Sequence, residues 1–126
     1  MKYENSRKFF KQALEIICNY LNIHTPINIW SEMKIDIDSV NAPDEWALNI
    51  CKALNANTYF NPIGGLSFFN KEKYIKNGID IKFIKSRKIL YPQLSENFSP
   101  FLSIIDIMMF NSPERIREML DDYELE

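Results

Sequence analysis

Apolar positions recur with two different periods along this chain. Between residues 5 and 22, Phe9, Phe10, Ala13, Leu14, Ile17, Tyr20 and Leu21 return at helical spacing, with Lys8, Lys11, Gln12, Glu15 and Asn19 between them. That spacing predicts an amphipathic helix with one core-facing stripe, and Pro26 closes it. Residues 27–30 are short and apolar and read as a strand, and 31–42 as a loop with a second extended piece at 34–37. A second helix is predicted from Pro43, a favourable first-turn residue. Asp44 and Glu45 there suit the positive end of the helix dipole, and Trp46, Ile50 and Leu54 share one face, with Ala47 and Cys51 beside them.

Residues 58–60 are of β type, and Asn61-Pro62-Ile63-Gly64-Gly65 is a strong breaker cluster. A short helix is expected within 66–76, ended by Asn77-Gly78. Ile79, Ile81 and Phe83 alternate with Asp80 and Lys82, the period of a half-buried strand, and 89–91 reads as one more strand. Ser99-Pro100 opens a helix to about residue 110 by N-cap and first-turn chemistry. Ser112-Pro113-Glu114 opens another, which carries Ile116, Met119 and Leu120 towards the C-terminus. Strands alternating with helices predict an α/β fold: a small, mostly parallel sheet flanked by helices in two or three layers.

The 126 residues are the size of one domain, spanning 1–126. With 46% apolar residues, including nine Phe, six Tyr and two Trp, the core needs no staples. Cys18 and Cys51 accordingly read as small buried hydrophobes in a reducing compartment. A net charge of -2 and a pI near 5.5 leave no electrostatic footprint for nucleic acid or an anionic membrane. The N-terminal run is too polar for a signal peptide. The apolar stretch 101–110 is broken by Ser103 and Asp106 and is far shorter than the roughly 20 residues of a membrane span. A cytoplasmic protein without a membrane span is expected.

Four groups carry candidate chemistry. Asn61, Gly64 and Gly65 follow a predicted strand, where open α/β sheets bind ligands and glycine admits a phosphate; a plain tight turn fits as well, and neither a P-loop nor a dinucleotide fingerprint is present. Ser103 and Asp106 are three apart on an otherwise apolar helix and share a face. A buried Asp must be paired or protonated, so Asp106 requires a partner, such as a backbone N–H of the loop 91–98. Tyr91 and Gln93, with Phe98, form a polar–aromatic loop suited to contacting a sugar or base, or to packing onto the sheet. His24 lies in a helix-to-strand connection with no ligand-spaced Cys, Asp or Glu, so neither a metal nor a cofactor is expected. Asp36 and Asp38 read as a solvated loop face, and no nucleophile–base arrangement follows from spacing.

Four stretches together resemble the WbqC-like protein family. They are Tyr59-Phe60-Asn61-Pro62-Ile63-Gly64-Gly65, Gly78-Ile79-Asp80-Ile81, Tyr91-Pro92-Gln93, and Phe98 through Asp106. Leu21-Asn22-Ile23, Ser31-Glu32 and residues 50–54 fit more loosely. The resemblance is to the C-terminal half of that family only; the His-Gln-Pro-x-Tyr motif that opens family members has no counterpart here, Ser112 stands where Gly is frequent, and Phe68-Phe69-Asn70 replaces a Tyr-Leu-Asp type. Members occur with genes for O-antigen and other surface polysaccharides. The resemblance therefore implies a small-molecule sugar or sugar nucleotide as ligand and transfer of an amino-acid or acyl group to a sugar amine. It makes Asp106 and Ser103 the catalytic candidates. Tyr59, Asn61, Gly64, Gly65, Tyr91, Gln93 and Phe98 become the substrate-binding candidates. A homodimer or a separately encoded N-terminal half is the expected partner, and the alternative is a shortened, non-catalytic binding module of the same fold.

Overall fold

The computed structural model describes residues 2–126, with side chains from Ser6 onward. Five helices and a three-stranded mixed sheet make a small α/β fold. The chain divides into two compact units, one comprising the chain up to Lys34 with Lys88–Asp122, the other Ile35–Arg87 with Tyr123–Glu126.

The second unit holds the sheet. Helix α2 (Glu45–Ala53) leads to β1 (Thr58–Pro62), a 3-10 turn at Ile63–Gly65, helix α3 (Lys71–Lys76) and β2 (Asp80–Ser86). β1 and β2 pair in parallel from Thr58↔Asp80 to Pro62↔Ile84, the connection through α3 making a β-α-β unit. β3 (Tyr123–Leu125) pairs antiparallel with β2, placing β2 at the centre. The core consists of Leu48, Cys51, Tyr74, Ile79, Ile81 and Phe83, with Ala56, Tyr59, Ile63 and Phe69 packed on it. Tyr74 and Phe83 are wholly buried. Phe69 meets Tyr59, Tyr74 and Phe83 with ring centroids 5.8–6.0 Å apart, within the range where edge and offset ring contacts are favourable. The Tyr74 hydroxyl donates to the Asp44 carbonyl at 2.7 Å, satisfying the one polar atom that its burial would strand.

The first unit is helical: α1 (Lys2–Tyr20), a 3-10 turn at Trp30–Glu32, α4 (Ile104–Phe110) and α5 (Pro113–Leu120). Leu21, Ile116 and Met119 are buried, and Arg117 donates to the Leu21 carbonyl at 3.3 Å, tying α5 to the end of α1. Ser112 caps α5 by accepting from the Arg115 N–H.

Three helices end in the same way. Asn22, Asn55 and Gly78 have φ of 55°, 53° and 73°. The next residue in each case donates back five positions: Ile23 to Cys18, Ala56 to Cys51, Ile79 to Tyr74, at 2.8–3.0 Å. A left-handed residue with this bond satisfies otherwise orphaned carbonyls, and Asn and Gly tolerate that conformation best.

Some sequence expectations are corrected. Residues 27–29 and 89–91 form no strand, Trp30 lies in a 3-10 turn, and 34–37 carries no ladder. The last helix stops at Leu120 and the chain continues as β3. The helix expected from Ser99 starts only at Ser103, because the Gln93 side-chain amide occupies both backbone groups of Ser99. Gln93 Nε2 donates to the Ser99 carbonyl, and the Ser99 N–H donates to Gln93 Oε1, both at 2.9 Å. Phe101, at φ 57°, then turns the chain in a conformation that no right-handed helix contains.

Candidate active site

The sequence requirement that Asp106 have a partner is met within the first unit. Tyr91 Oη donates to Asp106 Oδ2 at 2.6 Å, and Gln93 Nε2 lies 3.5 Å from the same oxygen. The partners are thus two side chains of the loop rather than a backbone N–H. Asp106 is half-buried in the first turn of α4, where a carboxylate suits the exposed helix N–H groups. The hydrogen bond to Asp106 is the foremost reason that the Tyr91 hydroxyl is held above its ordinary pKa. Tyr91 is therefore a protonated donor throughout the neutral range.

Phe98 stands edge-on to Tyr91, centroids 5.5 Å apart and planes at 86°, and the Lys88 ammonium lies 5.6 Å from the Phe98 centroid. Gln93 links this pair to the chain by its two bonds with Ser99. Tyr91, Gln93, Phe98 and Asp106 thus form one hydrogen-bonded, ring-supported cluster. Phe101 adjoins it in sequence with a left-handed φ that costs a bulky residue about 1–3 kcal/mol. Ser103 serves as the N-cap of α4, its hydroxyl accepting from the Ile105 N–H at 3.3 Å. Among the described residues no carboxylate or imidazole bonds to it.

The other sequence candidates lie in the second unit. Tyr59 Oη donates to Asn61 Oδ1 at 3.1 Å, and Asn61 Nδ2 donates to the Pro62 carbonyl at 2.9 Å. Gly65 is buried because this amide lies against it: a Cβ there would stand 2.0 Å from Asn61 Nδ2 and 3.1 Å from the Phe69 ring. The close approach that glycine permits is therefore that of Asn61. Gly64 faces open space, with nothing within 4 Å of where a Cβ would stand. Burial raises the Cys51 thiol pKa, in keeping with a core role.

Two features escape the sequence pattern. Asp44 is buried and accepts from the Asn70 N–H and Lys73 Nζ, both at 3.2 Å. Lys73 also reaches Glu45 Oε1 at 3.1 Å. Glu45 is held below the usual carboxylate range first by the Asn41 N–H, then by Lys73. Second, Cys18 and His24, six apart in sequence, line a depression of about 300 Å³ with Glu15 and Asn19; the helix-ending turn at Asn22 is the signal that could have placed them together. The His24 ring bonds to the Asn22 side chain at 3.0 Å. No group of three or more His, Cys, Asp or Glu able to hold a metal occurs among the described residues, and none of their helices is long and apolar enough to cross a membrane.

No curated protein and no solved structure matches the chain. The model of the WbqC-like protein family matches residues 2–118. The match takes in α1 and α2 as well as the segments from Thr58 onward, so the likeness covers nearly the whole chain rather than a C-terminal half alone. On that extent, the chain belongs to the WbqC-like protein family.

Proposed function

We propose that this protein acts in the cytoplasm in surface-polysaccharide (O-antigen) biosynthesis, transferring an amino-acid or acyl group to the amine of an aminosugar or sugar nucleotide. The observation that carries this reading is the joining of Tyr91, Gln93 and Asp106 through one carboxylate oxygen. Both bonds fall on Oδ2, which leaves Oδ1 to accept from a substrate amine N–H. In the proposed reaction the sugar amine attacks the acyl carbon, the bond to the donor's leaving group breaks with its electron pair, and Asp106 takes the proton lost by the amine. Tyr91 and Gln93 fix the carboxylate, and the Tyr91–Phe98 ring pair offers an apolar wall for a sugar face. Ser103, committed to capping and without a neighbouring base, is the weaker catalytic candidate. Tyr59, Asn61, Gly64 and Gly65 are proposed as a further sugar-contacting segment. Work as a homodimer, or with a separately encoded partner, belongs to the same reading.

The competing reading is a non-catalytic binding module, in which Asp106 only pins the loop to α4; the Ser103 cap favours it. Asp106→Asn separates the two, since an amide oxygen can still accept from Tyr91 while proton uptake is lost. A thermal-shift panel with thymidine-, uridine- and guanosine-diphosphate sugars is the first test. Saturating ligand at a hundredfold excess over Kd stabilises by roughly 2.7 kcal/mol. A selective shift, with acyl transfer abolished in a stably folded Asp106→Asn protein, supports the enzyme. A selective shift without any transfer by the wild type favours the binding module, and a flat panel removes the sugar reading.

A further inference from the structure

The cluster contains one cation that the proposed reaction does not use. In the basic run from Lys82 to Lys88, the other cationic groups meet carboxylates: Lys82 pairs with Asp80, Lys85 with Glu124 and Glu126, and Arg87 with Glu124. Lys88 is exposed, and among the described residues its ammonium has no carboxylate in bonding range; it stands over the Phe98 ring at 5.6 Å instead. A ring face attracts an ammonium without supplying a lone pair in hydrogen-bonding geometry. The contact therefore steadies the charge while leaving its N–H donors open. Phe98 in turn rests edge-on against Tyr91, whose hydroxyl is on Asp106. The two rings thus carry a cation at one end and an anion at the other.

We infer that Lys88 is a specificity residue that takes the anionic group of the sugar ligand, phosphate or carboxylate, while Asp106 faces its amine. This rests on the sugar-binding reading above and narrows it: a bare neutral or cationic sugar would leave Lys88 unmet, whereas a ligand with both groups satisfies both ends. Lysine binds such groups as a point charge, so the contact weakens with added salt.

Calorimetric titration of the full chain at low ionic strength tests this with three probes: glucosamine, glucuronic acid and uridine-diphosphate glucosamine. Lys88→Gln is expected to weaken the anionic probe that Lys88 contacts about tenfold, the equivalent of one charge-assisted hydrogen bond, to leave glucosamine unchanged, and to reduce the salt dependence of that probe's binding; Lys88→Arg should retain most of the affinity. Whether the sugar carboxylate or the diphosphate responds identifies the source of the anion. If Gln93→Ala weakens the probes and Lys88→Gln weakens none, the Lys88 assignment is overturned and the sugar reading stands. If the wild type binds none of the three, both are overturned.

Discussion

Gly65→Ala tests whether the turn after β1 is built as described. The added methyl would lie 2.0 Å from Asn61 Nδ2, 3.1 Å from Asn61 Cγ and 3.1 Å from the Phe69 ring. Asn61 cannot swing aside freely, because Tyr59 holds its oxygen and the Pro62 carbonyl holds its nitrogen. Moving it forfeits up to two hydrogen bonds worth about 1 kcal/mol each, and pressing on Phe69 adds an overpacking cost of about 1 kcal/mol. The expected loss is about 2–3 kcal/mol. At roughly 2.1 cal/mol/K of unfolding entropy per residue, that lowers the melting midpoint by about 8–11 °C for a chain of this length. Differential scanning calorimetry and urea titration measure it. The same substitution in an Asn61→Ala background should cost much less, a coupling of at least about 1 kcal/mol between sites in contact. Gly64→Ala, in open space, should be nearly silent. A Gly65→Ala protein that melts with the wild type, or full additivity with Asn61→Ala, would refute the packing described.

Ser103→Ala removes the N-cap of α4 and should cost about 1 kcal/mol, restored by Asp or Asn, whereas a nucleophilic Ser103 would lose transfer activity that Asp could not rescue. Asp44→Ala leaves the Asn70 N–H without its acceptor and should destabilise by about 1–3 kcal/mol in urea titration, with sugar affinity unchanged. Tyr59, Tyr74 and Tyr91 all have raised pKa values, burial being the main cause for the first two and the Asp106 bond for the third. Their folded states hold the proton more tightly than the unfolded chain, so stability is intact below the unfolded value near 10 and falls as pH rises above it. A melting series into the alkaline range should show that decline, and Tyr74→Phe should make it shallower.

What the sequence discloses follows from what periodicity can encode. β2 announces itself because the alternation of Ile79, Ile81 and Phe83 matches a single buried face. The helical period of α1 and α2 discloses the helices but not their buried faces: Phe9, Phe10, Leu14 and Tyr20 are exposed, as are Trp46 and Leu54, and α2 buries Leu48 and Cys51 instead. Residues 27–30 and 89–91 are apolar but too short for a period, and a strand exists only where a neighbour offers a ladder. β3 is the converse: Tyr123, Glu124 and Leu125 carry little strand signal, yet β2 presents free backbone groups and they pair. Asn22 and Asn55 end helices by the chemistry that marks Gly78, but Asn is commoner outside left-handed caps, so its presence alone signals an end only weakly. The demand of Asp106 for a partner follows from electrostatics alone. That the partner is a tyrosine hydroxyl depends on the path of the loop 91–98, which Gln93 fixes by bonding to Ser99 six residues on.

A shifted titratable group in a network of ion pairs does not by itself mark function here. The Asp44–Glu45–Lys73 cluster has a buried carboxylate, two ion pairs and a depressed Glu45, a combination that often signals an active site. Yet both Asp44 oxygens are engaged, one by Lys73 and one by the Asn70 N–H, while Glu45 is held by two backbone N–H groups and by Lys73. These bonds join the start of α2 to the start of α3, and breaking them for a ligand would expose a buried charge at a cost of several kcal/mol. Asp106 is less buried but retains an uncommitted oxygen, beside a hydroxyl that stays protonated and a ring pair. An oxygen left open to a substrate is what selects it over Asp44 as the proposed base.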